Sequence, residues 1–189
     1  MRTLILLSTA LSLLGCGKFG RRDVQSGQYD TTLMPLASNR TWTYDVVPFG
    51  NFTMSCAAGR YTKTLSTGRT VDGKTAHDFT AICAPGDGDE TLTITGTNLM
   101  RWYQDRWLLA LPLTPTGGQV WQSGAITYTV YSTGSVTVPA GTFANCWTRV
   151  RTAAPGNYTT FCQSVGPVDI RYQDVFGNGW SAQLVSKAF

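Results

Sequence analysis

One histidine, His77, serves the whole chain of 189 residues. That scarcity excludes a multi-histidine metal centre. Charge is also sparse. Asp, Glu, Lys and Arg make up 14% of the residues, below the roughly 25% of ordinary soluble domains. There is no basic stripe and no nucleic-acid-binding motif, so nucleic acid is not an expected partner. No apolar run reaches the ~20 residues that a membrane-spanning helix needs. The five cysteines contain no Cys-x-x-Cys pair, which removes the usual zinc and thiol-redox spacings. No Gly-x-Ser-x-Gly elbow is present, and no cofactor motif or fixed-period repeat appears. After residue 40 there is no helical periodicity. His77 stands next to Asp78, but neighbours in a strand point to opposite faces and do not form a catalytic pair. These absences argue against an enzyme, with a hydrolase as a distant alternative.

What is present begins at the N-terminus. Leu4 to Leu14 is apolar apart from Ser8, Thr9 and Ser12, and Arg2 precedes it. The length fits the apolar region of a secretory signal. The run ends in Leu13-Leu14-Gly15-Cys16, which resembles the bacterial lipobox. The resemblance implies cleavage after residue 15 and a covalent lipid on Cys16, which becomes the first mature residue. Two or three acyl chains give stable membrane attachment, so the expected partner here is a membrane, engaged through the anchor. Gly17, where an Asp often marks inner-membrane retention, implies the outer membrane, facing the periplasm. Residues 16–38 read as a Gly- and charge-rich tether, in which Lys18, Arg21 and Arg22 are opposed only by Asp23.

Setting Cys16 aside leaves Cys56, Cys83, Cys146 and Cys162. An even number in an exported domain reads as two disulfides, and four cysteines allow three pairings. The stretch from Ala144 to Thr152 reads as a strand, as does Tyr158 to Ser164, with Pro155-Gly156-Asn157 turning between them. If Thr152 faces Gly156, then Val150 faces Tyr158, Thr148 faces Thr160, and Cys146 faces Cys162. Opposed cysteines in an antiparallel pair come within disulfide reach. Cys56–Cys83 then follows by elimination.

From residue 39 to 189 the chain reads as a single β domain. Trp42, Tyr44 and Val46 alternate with Thr41, Thr43 and Asp45. Leu92 and Ile94 alternate with threonines, as do Ile126, Tyr128 and Val130. This period of two, rich in Thr, Val, Tyr and Trp, predicts half-buried antiparallel strands. Turn residues recur between the runs, and about ten strands are expected. The fold class is all-β: a strongly curved antiparallel meander, a half-open barrel or a two-layer sandwich.

Val136 to Cys146, VTVPAGTFANC, resembles a motif of exported bacterial proteins of unknown function, Val-x-Val-Pro-Ala-Gly-x-Phe-x-x-Cys. The resemblance spans residues 90 to 186 or so. It departs from the pattern at Pro167 and at Phe161-Cys162-Gln163-Ser164. It implies a curved sheet like that of the lipoprotein-localisation carriers and no reaction.

Two further stretches are candidate sites. Asp87, Asp89 and Glu90 fall in a Gly-rich turn but lack calcium-loop spacing. Trp102 and Trp107, flanking a turn at Gln104-Asp105, form a possible apolar binding patch. The leading expectation is a non-catalytic, membrane-anchored envelope lipoprotein that binds or assembles with an envelope protein. The alternative is a carrier that holds an acyl chain or other apolar ligand within the curved sheet.

Overall fold

The computed structural model describes residues 32–54, 56–83 and 88–189. Cys16, the lipobox, the basic cluster that follows it and Asp87 lie outside them. Among the described residues there are thirteen strands: β1 (Thr41–Phe49), β2 (Gly59–Thr64), β3 (Arg69–Val71), β4 (Lys74–Phe79), β5 (Glu90–Thr95), β6 (Asn98–Tyr103), β7 (Arg106–Pro112), β8 (Val120–Ser123), β9 (Ile126–Val138), β10 (Gly141–Arg151), β11 (Tyr158–Cys162), β12 (Gly166–Gln173) and β13 (Gly179–Ala188). One short 3-10 turn, Gly50–Met54, interrupts them.

Two antiparallel sheets result. The larger has the order β2-β1-β13-β12-β11-β10-β9-β8, and the smaller β3-β4-β5-β6-β7. The chain lays down two strands of the large sheet, then the whole small sheet, then returns to complete the large one. A bridge between Leu65 and Phe79 links the sheets near the ends of β2 and β4. They are not closed into a barrel, so the fold is the two-sheet form of the expected all-β class.

Local sequence explains the elements. In β1, Trp42, Tyr44 and Val46 are fully buried and the residues between them are not, as period two requires. Tight turns join the hairpins. Gln104 and Asp105 both take positive φ in the two-residue turn between β6 and β7, as do Asp72 and Gly73 between β3 and β4. The second hairpin was not foreseen, although its Asp-Gly pair is the signal that announces it.

The register of β10 on β11 follows the expected one: Val150↔Tyr158, Thr148↔Thr160 and Cys146↔Cys162. Both expected disulfides are present, Cys146–Cys162 and Cys56–Cys83. Two alternations do not hold. The β9–β10 register shifts between Phe143 and Cys146, with Asn145 in a left-handed conformation, so Ala144 does not share the Cys146 face. Ile94 is exposed while Leu92 is buried, because β4 pairs with β5 only as far as Leu92.

The core is common to both sheets. Trp42, Tyr44, Val130, Val168, Trp180 and Leu184 meet Leu65, Phe79, Leu92, Leu99 and Leu111 in one cluster. Leu33 and Met34, placed in the tether by the sequence, are buried in it too.

Candidate functional site: a cleft between the sheets

The core does not fill the whole space between the sheets. A partly open cleft of about 510 Å³ remains. Its floor is apolar, formed by residues such as Met34, Phe79, Leu92, Leu99, Phe161 and Ile170. Cations also line it. Register shows which of them point inward.

On β10, Arg149 pairs with Val130 and Arg151 with Tyr128 of β9. The two arginines therefore share a face with Tyr128 and the buried Val130. The Arg149 guanidinium lies 5.0 Å from the Tyr128 ring centre and 5.3 Å from that of Phe161. Its Nη1 crosses to the small sheet and donates to the Ala110 carbonyl at 3.0 Å. That carbonyl belongs to a bulge. Leu99 pairs with Leu111 and Met100 with Leu109, which leaves Ala110 without a partner residue. The reciprocal tie starts on the small sheet. Arg101 of β6 shares a face with Leu99 and Tyr103, and its Nε donates to the Ser123 hydroxyl of β8 at 3.2 Å. Two guanidiniums thus join the sheets from opposite sides, each to neutral acceptors. Arg151 is exposed at the rim.

Lys63 contributes a further inward cation. Its residue is 2% exposed, and the ammonium lies 4.3 Å from the Phe79 ring centre. Of the carboxylates, Asp89 and Glu90 line the cleft, and Asp169 does not. Asp169 pairs with Thr160 and so lies on the opposite face of β11 and β12 from Phe161 and Arg149. There it accepts from the Tyr158 hydroxyl at 3.3 Å. Burial pushes the pKa of both groups up. Asp89 accepts from the Ala81 N–H at 2.7 Å. Arg171 stacks over Phe49, 4.3 Å from its ring centre.

The other sequence candidates lie apart from the cleft. Trp102 and Trp107 pair directly, with ring centres 5.1 Å apart in an edge-on arrangement. They are half-buried, on the face of the small sheet away from Arg101. The Trp107 Nε1 is buried and makes no hydrogen bond among the described residues. His77 places Nδ1 2.9 Å from the Ser66 carbonyl oxygen. Asp78 pairs instead with Arg69, through Nη2 at 2.8 Å and Nε at 2.9 Å, and accepts from the Thr91 hydroxyl at 2.7 Å. Among the described residues no three His, Cys, Asp or Glu side chains converge on a point that would hold a metal.

No protein-family model matches the chain, and no curated protein matches it. Two solved structures are similar in shape. One is a provisionally assigned lipoprotein from Parabacteroides distasonis, with a TM-score of 0.49 and 11% identity, covering 84% of this chain and 99% of its own. The other is a provisionally assigned exported protein with YmcC-like fold from Bacteroides fragilis, with a TM-score of 0.46 and 10% identity, covering 84% and 100%.

The cleft arginines were not singled out in the sequence. The available signal was the strand face shared by Trp147, Arg149 and Arg151. Two cations at period two beside a tryptophan, in a chain poor in charge, are candidates for an inward-facing polar site.

Proposed function

We propose that this chain is a non-catalytic, lipid-anchored domain of the bacterial envelope whose inter-sheet cleft holds an apolar ligand. The observation that carries the ligand half is the cleft itself. About 510 Å³ lies between two sheets, lined by aliphatic and aromatic residues together with charged ones, within the ~300–1,000 Å³ of small-molecule sites. The anchor half rests on Leu-Leu-Gly-Cys16. A protein-docking role for Trp102 and Trp107 is less favoured, because the two rings pack on each other.

The test uses the full chain, purified with its anchor and placed in phosphatidylcholine nanodiscs. Octanol, a neutral apolar probe, is expected to bind above the level of empty nanodiscs. Leu92→Trp, which extends a side chain into the cleft, is expected to lower that binding at least about tenfold, with circular dichroism as the check that the variant keeps its fold. Unchanged octanol binding in Leu92→Trp would overturn the cleft as the site. For the anchor, Cys16→Ser is expected to move the protein out of the membrane fraction, and a variant still needing detergent would overturn it.

A further inference from the structure

We infer that the cleft selects an amphiphile with an anionic head, a carboxylate or phosphate on an apolar chain, and that Arg149 and Arg151 receive the head. This deepens, and rests on, the reading that the cleft takes an apolar ligand. It starts from an imbalance of charge. Arg101, Arg149 and Arg151 point into the space between the sheets, and none of them makes an ion pair among the described residues. Ion pairs of other described residues include Arg60–Asp45 and Arg69–Asp78.

A guanidinium taken partly out of water without a counter-charge is costly, because burial penalises the charged form and neutral acceptors repay only part of the loss. Arg149 is in that position. It spends one N–H on the Ala110 carbonyl and reaches the Thr159 hydroxyl only at 3.5 Å. A guanidinium has five N–H donors, so most of its capacity is unspent. The Arg151 guanidinium, two residues on and on the same face, has no hydrogen bond or ion pair among the described residues and marks the open end. Two arginines spaced this way on one strand form a fork for a carboxylate or phosphate.

The acids near the cleft do not answer this charge. Asp169 faces the other side of its sheet. Asp89 is engaged at Ala81. Glu90, two residues before Leu92 on β5, also lines the cleft, but it forms no ion pair with Arg101, Arg149 or Arg151 among the described residues, and the lining cations still outnumber the lining acids. Behind the arginines the lining turns apolar, with Phe161, Ile170, Leu92 and Leu99. Cationic rim and apolar floor together describe an amphiphile with its head at Arg151 and its chain toward Leu92.

The experiment compares octanoate, octyl phosphate, octanol and octyltrimethylammonium by equilibrium dialysis against the same full chain in phosphatidylcholine nanodiscs, with empty nanodiscs subtracted. Octanoate or octyl phosphate is expected to bind about tenfold or more tighter than octanol, with affinity falling as salt is raised. The better of the two anions identifies the head as carboxylate or phosphate. Arg151→Gln, which replaces an exposed side chain that has no hydrogen bond or ion pair among the described residues, is expected to remove most of the preference and leave octanol binding unchanged. Arg149→Gln should remove more of the preference, and because it also breaks the tie to Ala110 the Arg151 variant carries the test if the Arg149 variant loses octanol binding or does not fold. If octanol binds as tightly as both anions, or the cationic probe binds best, the anionic-head inference is overturned and the apolar-cleft reading stands. Absence of binding by all four probes overturns both.

Discussion

Tyr44 and Trp42 show how single side chains fix the interior. Both are fully buried aromatic residues with a polar edge, and such groups must find partners inside the protein. Trp42 Nε1 donates to the Val165 carbonyl, and the Tyr44 hydroxyl to the Pro167 carbonyl. Two side chains of β1 thus hold the turn and first residues of β12, which lie more than 120 residues away in sequence. Gly166 makes this possible. Its φ is +92°, and a Cβ there would stand 3.1–3.3 Å from the Trp42 indole. Pro167 brings no N–H to the ladder, and it is tolerated because the β11–β12 register shifts beside it. At the surface of the small sheet, the Arg69 guanidinium, with the Thr91 hydroxyl, holds Asp78 below the usual carboxylate range. A carboxylate depressed in the folded state contributes stability that is present above its unfolded value of about 4 and is lost as pH falls through the folded value. Asp78→Asn is therefore expected to flatten the decline of stability below about pH 4, and urea titrations at several pH values would read this. The pair is substantially exposed, so the effect at neutral pH is small. A variant with an acid limb as steep as the parent would show that the Arg69 pair does not persist in solution.

At the scale of elements, the β10–β11 hairpin is where sequence and structure agree most closely. Pro155-Gly156-Asn157 fixed the turn, and counting back from it set every later pair. The threonines record the same register, with Thr148 Oγ1 2.9 Å from Thr160 Oγ1. The Cys146–Cys162 bridge closes a loop with a sequence separation of 16. In the chain-entropy model a loop of that size is worth about 3 kcal/mol. Replacing both cysteines by alanine is expected to lower unfolding stability by about that amount while leaving the strand content intact. Urea denaturation with circular dichroism checks it. A loss well below about 1 kcal/mol would mean that the unfolded chain is already constrained around the hairpin. Other features were less legible, for physical reasons. Period two announces a strand but not which strand it pairs with, so the adjacency of β1 and β13 was invisible. Bulges carry no strong residue code, and the ones at Ala110 and near Asn145 broke the alternation without warning. Nor does alternation say which face is inward when both faces carry Thr, Val and aromatic residues. For that reason the face of Arg149 was recognised as a face but not as a cleft.

At the scale of the whole molecule, the question is what keeps two sheets facing each other without closing them. Hydrophobic contact along Trp42, Phe79, Leu92 and Leu111 joins them on one side. Across the cleft the described hydrogen bonds that span the sheets include Arg149 to Ala110, Arg101 to Ser123, and Trp121 Nε1 to the Leu109 carbonyl at 3.2 Å. The bulge at Ala110 matters here, because it turns out a carbonyl that a donor from the other sheet satisfies. Substituting Arg149 with Met removes that donor and keeps most of the side-chain volume. The expected cost is about 1–3 kcal/mol, that of leaving a buried acceptor unpaired. Arg101→Met is expected to cost less, because Ser123 retains its own hydroxyl donor to reorient. The two ties act on one inter-sheet spacing, so their effects should not add. A double-mutant cycle on the full chain is expected to give a coupling above about 0.5 kcal/mol. Hydrogen exchange supplies the second readout, with amides of β6 and β7 losing protection ahead of those in β12 and β13. Strict additivity, with uniform loss of protection across both sheets, would show that the arginines are local contacts and that apolar packing alone sets the width of the cleft.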